Sequence, residues 1–147
     1  MFFKSLDDVR NSELLTDEVK TYYESIVNSP KSILTLGYVE NEYVKPSPLF
    51  KYMIENPFEE DIDEELIIKH GGDRTIFGTC ALSVAILLNN MKYVNKLFKL
   101  NVFHLDAFYT SNLEIAYISN ASKEIINLLE EYEFCDKYDY NNFKEIH

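Results

Sequence analysis

The chain has 147 residues, of which 14 are basic and 25 acidic, giving a formal net charge of −11, and 46% of it is hydrophobic. That length fits one domain and that apolar content fills a core, which excludes a largely disordered chain. The charge excludes electrostatically driven binding to nucleic acid or to an anionic membrane surface, because phosphates repel a chain of this sign.

Met1-Phe2-Phe3 is too short for the apolar region of a signal peptide. No apolar run approaches the roughly 18 residues that cross a bilayer. The cysteines are Cys80 and Cys135, and two thiols without a leader point to a reducing, cytoplasmic setting. Residues 1–45 are expected to form a less regular N-terminal cap with one helix. In TDEVKTYYESIVN, Val19, Tyr22, Tyr23 and Ile26 recur at helical spacing. Thr16 or Asp17 would cap that helix, and Ser29-Pro30 would end it near Asn28, because a residue before proline avoids the α region. The stretch Ile33 to Val44 alternates only in part and fits either a short hairpin or a helix.

From Pro48 the chain repeats itself. Leu49, Leu82 and Leu113 each open a short apolar helix, at spacings of 82 − 49 = 33 and 113 − 82 = 31. A second helix follows at a shared offset: Val94, Leu97 and Phe98 stand 12, 15 and 16 residues after Leu82, as Ile125, Leu128 and Leu129 do after Leu113. In the first unit Leu66-Ile67-Ile68 takes this part, after an insertion from Asn56 to Ile62. A helix pair of this size cannot bury its apolar stripe alone, whereas stacked pairs bury it together. Asn89-Asn90 breaks the middle unit between its helices, since Asn tolerates a reversal. The expected fold is all-α, with Leu82, Ala85, Leu97, Phe98, Leu113, Ala116, Leu128 and Leu129 in the core. Residues 46–133 hold three helix pairs and 134–147 a tail.

The repeat resembles the ankyrin family, whose units of about 33 residues combine a turn with two antiparallel helices. The matching residues are Gly78, Ala81-Leu82, Ala85, Leu97-Phe98 and the preceding Gly71-Gly72-Asp73, then Leu113, Ala116 and Leu128-Leu129. Phe50, Ser83 and Glu114 stand where the family has His, Tyr52 where it has Ala, and Asn101 where it has Gly. Asn is the next best residue for a left-handed cap. The resemblance implies binding through turn tips and the exposed side of the inner helices. By position that surface takes in Ile76, Phe77 and Thr79 at one tip with Leu87 and Leu88 on its helix, then Phe108, Tyr109, Ile118 and Ser119 in the next unit. Large apolar groups at such positions need a cover, either the N-terminal segment or a partner.

No chemistry-bearing constellation emerges. HGGD at 70–73 lacks the pattern of a phosphate loop and reads as a helix end with Gly71 or Gly72 left-handed. EEDIDEE at 59–65 lacks the alternating ligand loop of a calcium site and reads as an acidic helix start. His70, His104, His147 and the cysteines have no zinc spacing, and Cys80 reads as core. Lys92, Lys96 and Lys99 share one helical face, read as solvated. No cofactor, metal or catalytic group is expected, and the chain is expected to be a monomer and not an enzyme. The expected role is inhibition of a protein with a basic surface, in the manner of an immunity protein neutralising a toxin, with Glu59, Glu60 and Asp61 among the contacts. An ankyrin-type adaptor that bridges other proteins is the alternative.

Overall fold

The computed structural model describes residues 2–132 apart from 37, 41, 42 and 46. The expected tail at 134–147, with Cys135 and His147, lies outside the described residues. The chain opens with α1 (Leu6–Arg10), α2 (Asp17–Asn28) and α3 (Ser32–Leu36). A short antiparallel ladder follows, β1 (Tyr38–Glu40) on β2 (Tyr43–Lys45), with Val39 opposite Val44. Then come α4 (Pro48–Glu55), α5 (Glu64–His70), α6 (Ala81–Leu87), α7 (Met91–Lys99) and α8 (Asn112–Ile118), and residues 123–132 are helical. The fold is all-α, with one ladder of three residues a side among the described residues.

The cap therefore holds three helices and a ladder rather than one helix. Two of those helices have five residues each, too short to leave a periodic trace in the sequence. The ambiguous stretch from Ile33 to Val44 is divided between α3 and the ladder. α2 follows its expected bounds. Thr16 is the cap, its Oγ1 accepting from Val19 N at 3.3 Å, and Ser29 is extended before Pro30. Val19, Tyr22, Tyr23 and Ile26 are all buried.

α6 packs against both α4 and α8, and each of these three inner helices carries an outer one: α5 on α4, α7 on α6, and 123–132 after α8. The inner helices run parallel. Ser83 near the start of α6 donates to Asn112 at the start of α8, at 2.6 Å. At the other end, Asn90 after α6 reaches the loop after α4. Ser47, Cys80 and Ser111 are the residues that cap them, and the cap positions repeat at 80 − 47 = 33 and 111 − 80 = 31.

Three asparagines in the left-handed region end α6, α7 and α8: Asn89 at φ 54°, Asn101 at 56° and Asn120 at 55°. After each, the next N–H bonds back across the reversal: Asn90 to Ala85 O at 3.1 Å, Val102 to Leu97 O at 3.0 Å and Ala121 to Ala116 O at 2.9 Å. These are the bonds of a Schellman ending, in which a left-handed residue satisfies carbonyls the helix leaves free. Asn90 then caps α7, its Oδ1 accepting from Tyr93 N at 3.0 Å. One Asn ends a helix and the other starts the next, so α7 can begin at once.

Gly71 and Gly72 are not left-handed, contrary to expectation, since Gly78 alone among the described glycines has positive φ. Gly71 is helical, at φ −64° and ψ −20°. It is glycine for space: a Cβ there would lie 2.0 Å from Val102 Cγ1 and 2.5 Å from Ile67 O.

Leu82, Ala85, Leu97, Leu113, Ala116 and Leu129 are buried as expected. Phe98 and Leu128 are only half-buried. An outer helix turns one face inward, and Val94 and Leu97, or Ile125 and Leu129, fill it. Phe98 instead stacks on Tyr132 with centroids 4.3 Å apart, and meets Phe103 edge-on. In α5 only Ile67 of the apolar triplet is buried, and Ile68 is exposed.

Candidate partner-binding surface

The loops that lead into α6 and α8 form two tips. In the first, Gly78 N donates to Thr75 O and Thr75 N to Thr79 O, both at 2.9 Å. In the second, Ala107 N donates to Thr110 O at 2.7 Å. α2 lies on these tips through two adjacent tyrosines. The Tyr22 hydroxyl bonds Thr75 Oγ1 at 3.0 Å and Thr79 Oγ1, while the two threonine oxygens are 2.6 Å apart. The Tyr23 hydroxyl accepts from Thr110 Oγ1 at 3.0 Å. Burial raises both phenol pKa values above the ordinary range, opposed in part by the threonine bonds.

The same helix covers Phe77, whose ring lies 4.4 Å from that of Tyr22. Phe77 and Thr79 are therefore buried within the chain, and Ile118, at the far end of α8, is buried as well. What stays open at this end is Ile76, Phe108 and Tyr109, at 46%, 60% and 47% exposure. A groove of about 360 Å³ adjoins Ile76, lined also by Asp17, Glu18, Thr21, Tyr22 and Ser25 of α2 and by Phe77. Its floor is aromatic and its rim carries the exposed carboxylates of Asp17 and Glu18.

Phe108 is held as well as exposed. Its ring lies over Gly78, at φ 91°, where a Cβ would stand 2.5 Å from Phe108 Cγ. The Arg74 guanidinium sits 5.1 Å from the ring centroid and donates to Asp106 O at 2.9 Å. An aromatic fixed in this way loses little freedom on binding.

The remaining expected contacts lie elsewhere. Glu59, Glu60 and Asp61 occupy the loop after α4, at the opposite end of the inner helices. Leu87 and Leu88, both half-buried, end α6 there. The acid cluster is not a helix start throughout, since α5 begins at Glu64 with Asp63 as its cap. Nor is the lysine face of α7 merely solvated. Lys92 Nζ meets Glu60 at 2.7 Å, and Lys96 Nζ meets Asp61 at 3.0 Å and Glu64 at 3.2 Å. These pairs lower the Asp61 pKa and raise that of Lys96. Ser119 is half-buried at the same end. The structure thus divides the expected contacts between two ends and brings Asp17 and Glu18 to the tips, which the sequence reading did not foresee. The adjacent tyrosines of α2, with Thr75, Thr79 and Thr110 at the turns, were the available signal.

Among the described residues no group of three or more His, Cys, Asp or Glu could hold a metal ion, and no helix is long and apolar enough to cross a membrane. Cys80 is buried, its Sγ among Ser83, Asn112 and the His104 carbonyl. The chain matches no family model, no curated protein and no solved structure.

Proposed function

We propose that this protein is a binding module of ankyrin type that occludes a basic surface on another protein, acting as an immunity-type inhibitor. The observation that carries this reading is the tip surface: Ile76 is exposed and lines a groove whose rim is acidic, and Phe108 and Tyr109 are exposed at the next tip, on a chain of net charge −11. Central aromatics supply most of the energy of protein interfaces, and complementary charge supplies speed of encounter. The groove offers an aromatic floor to the stem of a lysine or arginine and carboxylates to its head. A cationic active-site cleft, as in an enzyme that acts on phosphates, presents such groups. The chain would act as a monomer in the cytoplasm, without cofactor or metal.

The test is to place a photo-crosslinking residue at Tyr109, capture the partner in the source cell, and measure binding by surface plasmon resonance at two ionic strengths. The association rate should fall as salt rises. Asp17→Lys with Glu18→Lys should slow association and flatten that dependence, whereas Tyr109→Ala should shorten the complex lifetime with little effect on association. An acidic partner surface, or an association rate indifferent to salt, would overturn the reading. So would a captured enzyme that remains fully active when bound.

A further inference from the structure

The opposite end of the inner helices carries its own exposed aromatic. Phe58, in the loop after α4, is 94% exposed, the highest exposure of any large apolar residue described. The loop that displays it is pinned on every side. Asn90 Nδ2 donates to Pro57 O at 3.0 Å and to Glu59 O at 3.1 Å. The Tyr93 hydroxyl donates to Asn56 O, and Glu59 N donates to Asn56 O at 3.3 Å. Ile62 anchors the far side in the core, and Lys92 and Lys96 hold Glu60 and Asp61. A phenylalanine in a loose loop would fold back onto apolar surface. Here seven neighbouring constraints keep it standing in water beside Pro57.

Next to it runs a cleft of about 350 Å³, lined by Pro57, Phe58, Leu88 and Met91 with Glu59, Glu60 and Lys92 along the rim. That volume takes one or two side chains. Glu60 is neutralised by Lys92, but among the described residues no ion pair reaches Glu59, or Glu55 in the adjoining hollow that Phe58 also lines. The vacant charge on the rim is negative, and a second copy of a chain carrying −11 would be repelled.

We propose that this loop is a second docking surface, for a basic segment of another protein that sets a large apolar side chain between Phe58, Leu88 and Met91, flanked by lysine or arginine against Glu55 and Glu59. It is independent of the tip surface, from which α6 separates it by its whole length. Occupation of both ends by different proteins would make the chain a bridge as well as an inhibitor.

The test is selection of short random peptides displayed on phage against the immobilised full chain, with depletion on the Phe58→Ala variant. Enriched peptides should carry a large apolar residue flanked by Lys or Arg and should weaken as salt rises. Phe58→Ala should cost about tenfold or more in affinity, with an unchanged melting temperature because the side chain is solvent-exposed. Glu59→Lys, on the rim, gives a second measure and should weaken the same peptides. Tyr109→Ala should leave them unaffected, which separates this surface from the tips. Failure to enrich any peptide, enrichment of acidic ones, or equal binding to wild type, Phe58→Ala and Glu59→Lys would overturn the proposal.

Discussion

Phe77 and Phe108 stand 108 − 77 = 31 residues apart, at the same place in successive tips. One is 9% exposed and the other 60%. The repeat does not decide this difference, since it gives both the same local setting. α2 decides it, by laying Tyr22 on Phe77 and reaching the next tip with the Tyr23 hydroxyl. A repeated scaffold thus acquires distinct surfaces through a single non-repeated element. The same residue type serves as core where that element reaches it and as open surface where it does not.

Truncating the two rings should separate them most. Phe77→Ala should cost about 3–5 kcal/mol, the range for a buried phenylalanine, whereas Phe108→Ala should cost under about 1 kcal/mol as an exposed site. Chemical denaturation of both variants measures this, and equal losses would break the comparison. Gly78→Ala should come next, at about 1–3 kcal/mol, from a strained left-handed alanine and an overpacked contact. It should also loosen Phe108 from its seat, visible as a changed ring environment by NMR. A smaller effect than that of Gly78→Ala concerns the Tyr22 hydroxyl. Tyr22→Phe should cost about 1 kcal/mol, because Thr75 and Thr79 keep each other as partners.

That variant also has a pH signature. The Tyr22 pKa is raised in the folded protein, so above the ordinary value of about 10 the unfolded chain loses protons that the folded one keeps. Stability is therefore fully present below that pH and falls as pH rises through it. Tyr22→Phe should shallow the fall, read from denaturation midpoints on either side of pH 10.

What could be read in advance follows the range of the interaction that decides it. The inner helices and the Asn89-Asn90 break rest on neighbours within a few residues, and these were legible. So was α2, with its cap residue and its buried stripe. Gly71 was misread because glycine has two uses, and only Val102, from a later loop, shows which applies. The half-burial of Phe98 likewise depends on Phe103 and Tyr132, outside its own helix. For the surfaces, Phe108 and Tyr109 were placed by repeat position, but the cover over Phe77 depends on a contact spanning more than fifty residues. The acid cluster was visible as charge, and its lysine partners were visible as a helical face. Their meeting depends on the loop after α4 lying against α7.

The Tyr22 and Tyr23 contacts also bear on how the chain is made. α2 is synthesised before both tips, and its hydroxyl partners Thr75 and Thr110 follow 53 and 87 residues later. Phe3 N–H waits longer still, for the Glu114 carboxylate 111 residues on, at 2.7 Å. At roughly 5–20 residues per second, α2 leaves the ribosome several seconds ahead of its binding site, its tyrosine stripe without a place to go. The helix pairs, whose contacts are local, can assemble as they emerge. The nascent chain therefore closes backwards, its first long helix docking last, and the aromatic face of α2 is the part of this protein that a chaperone at the exit tunnel would meet.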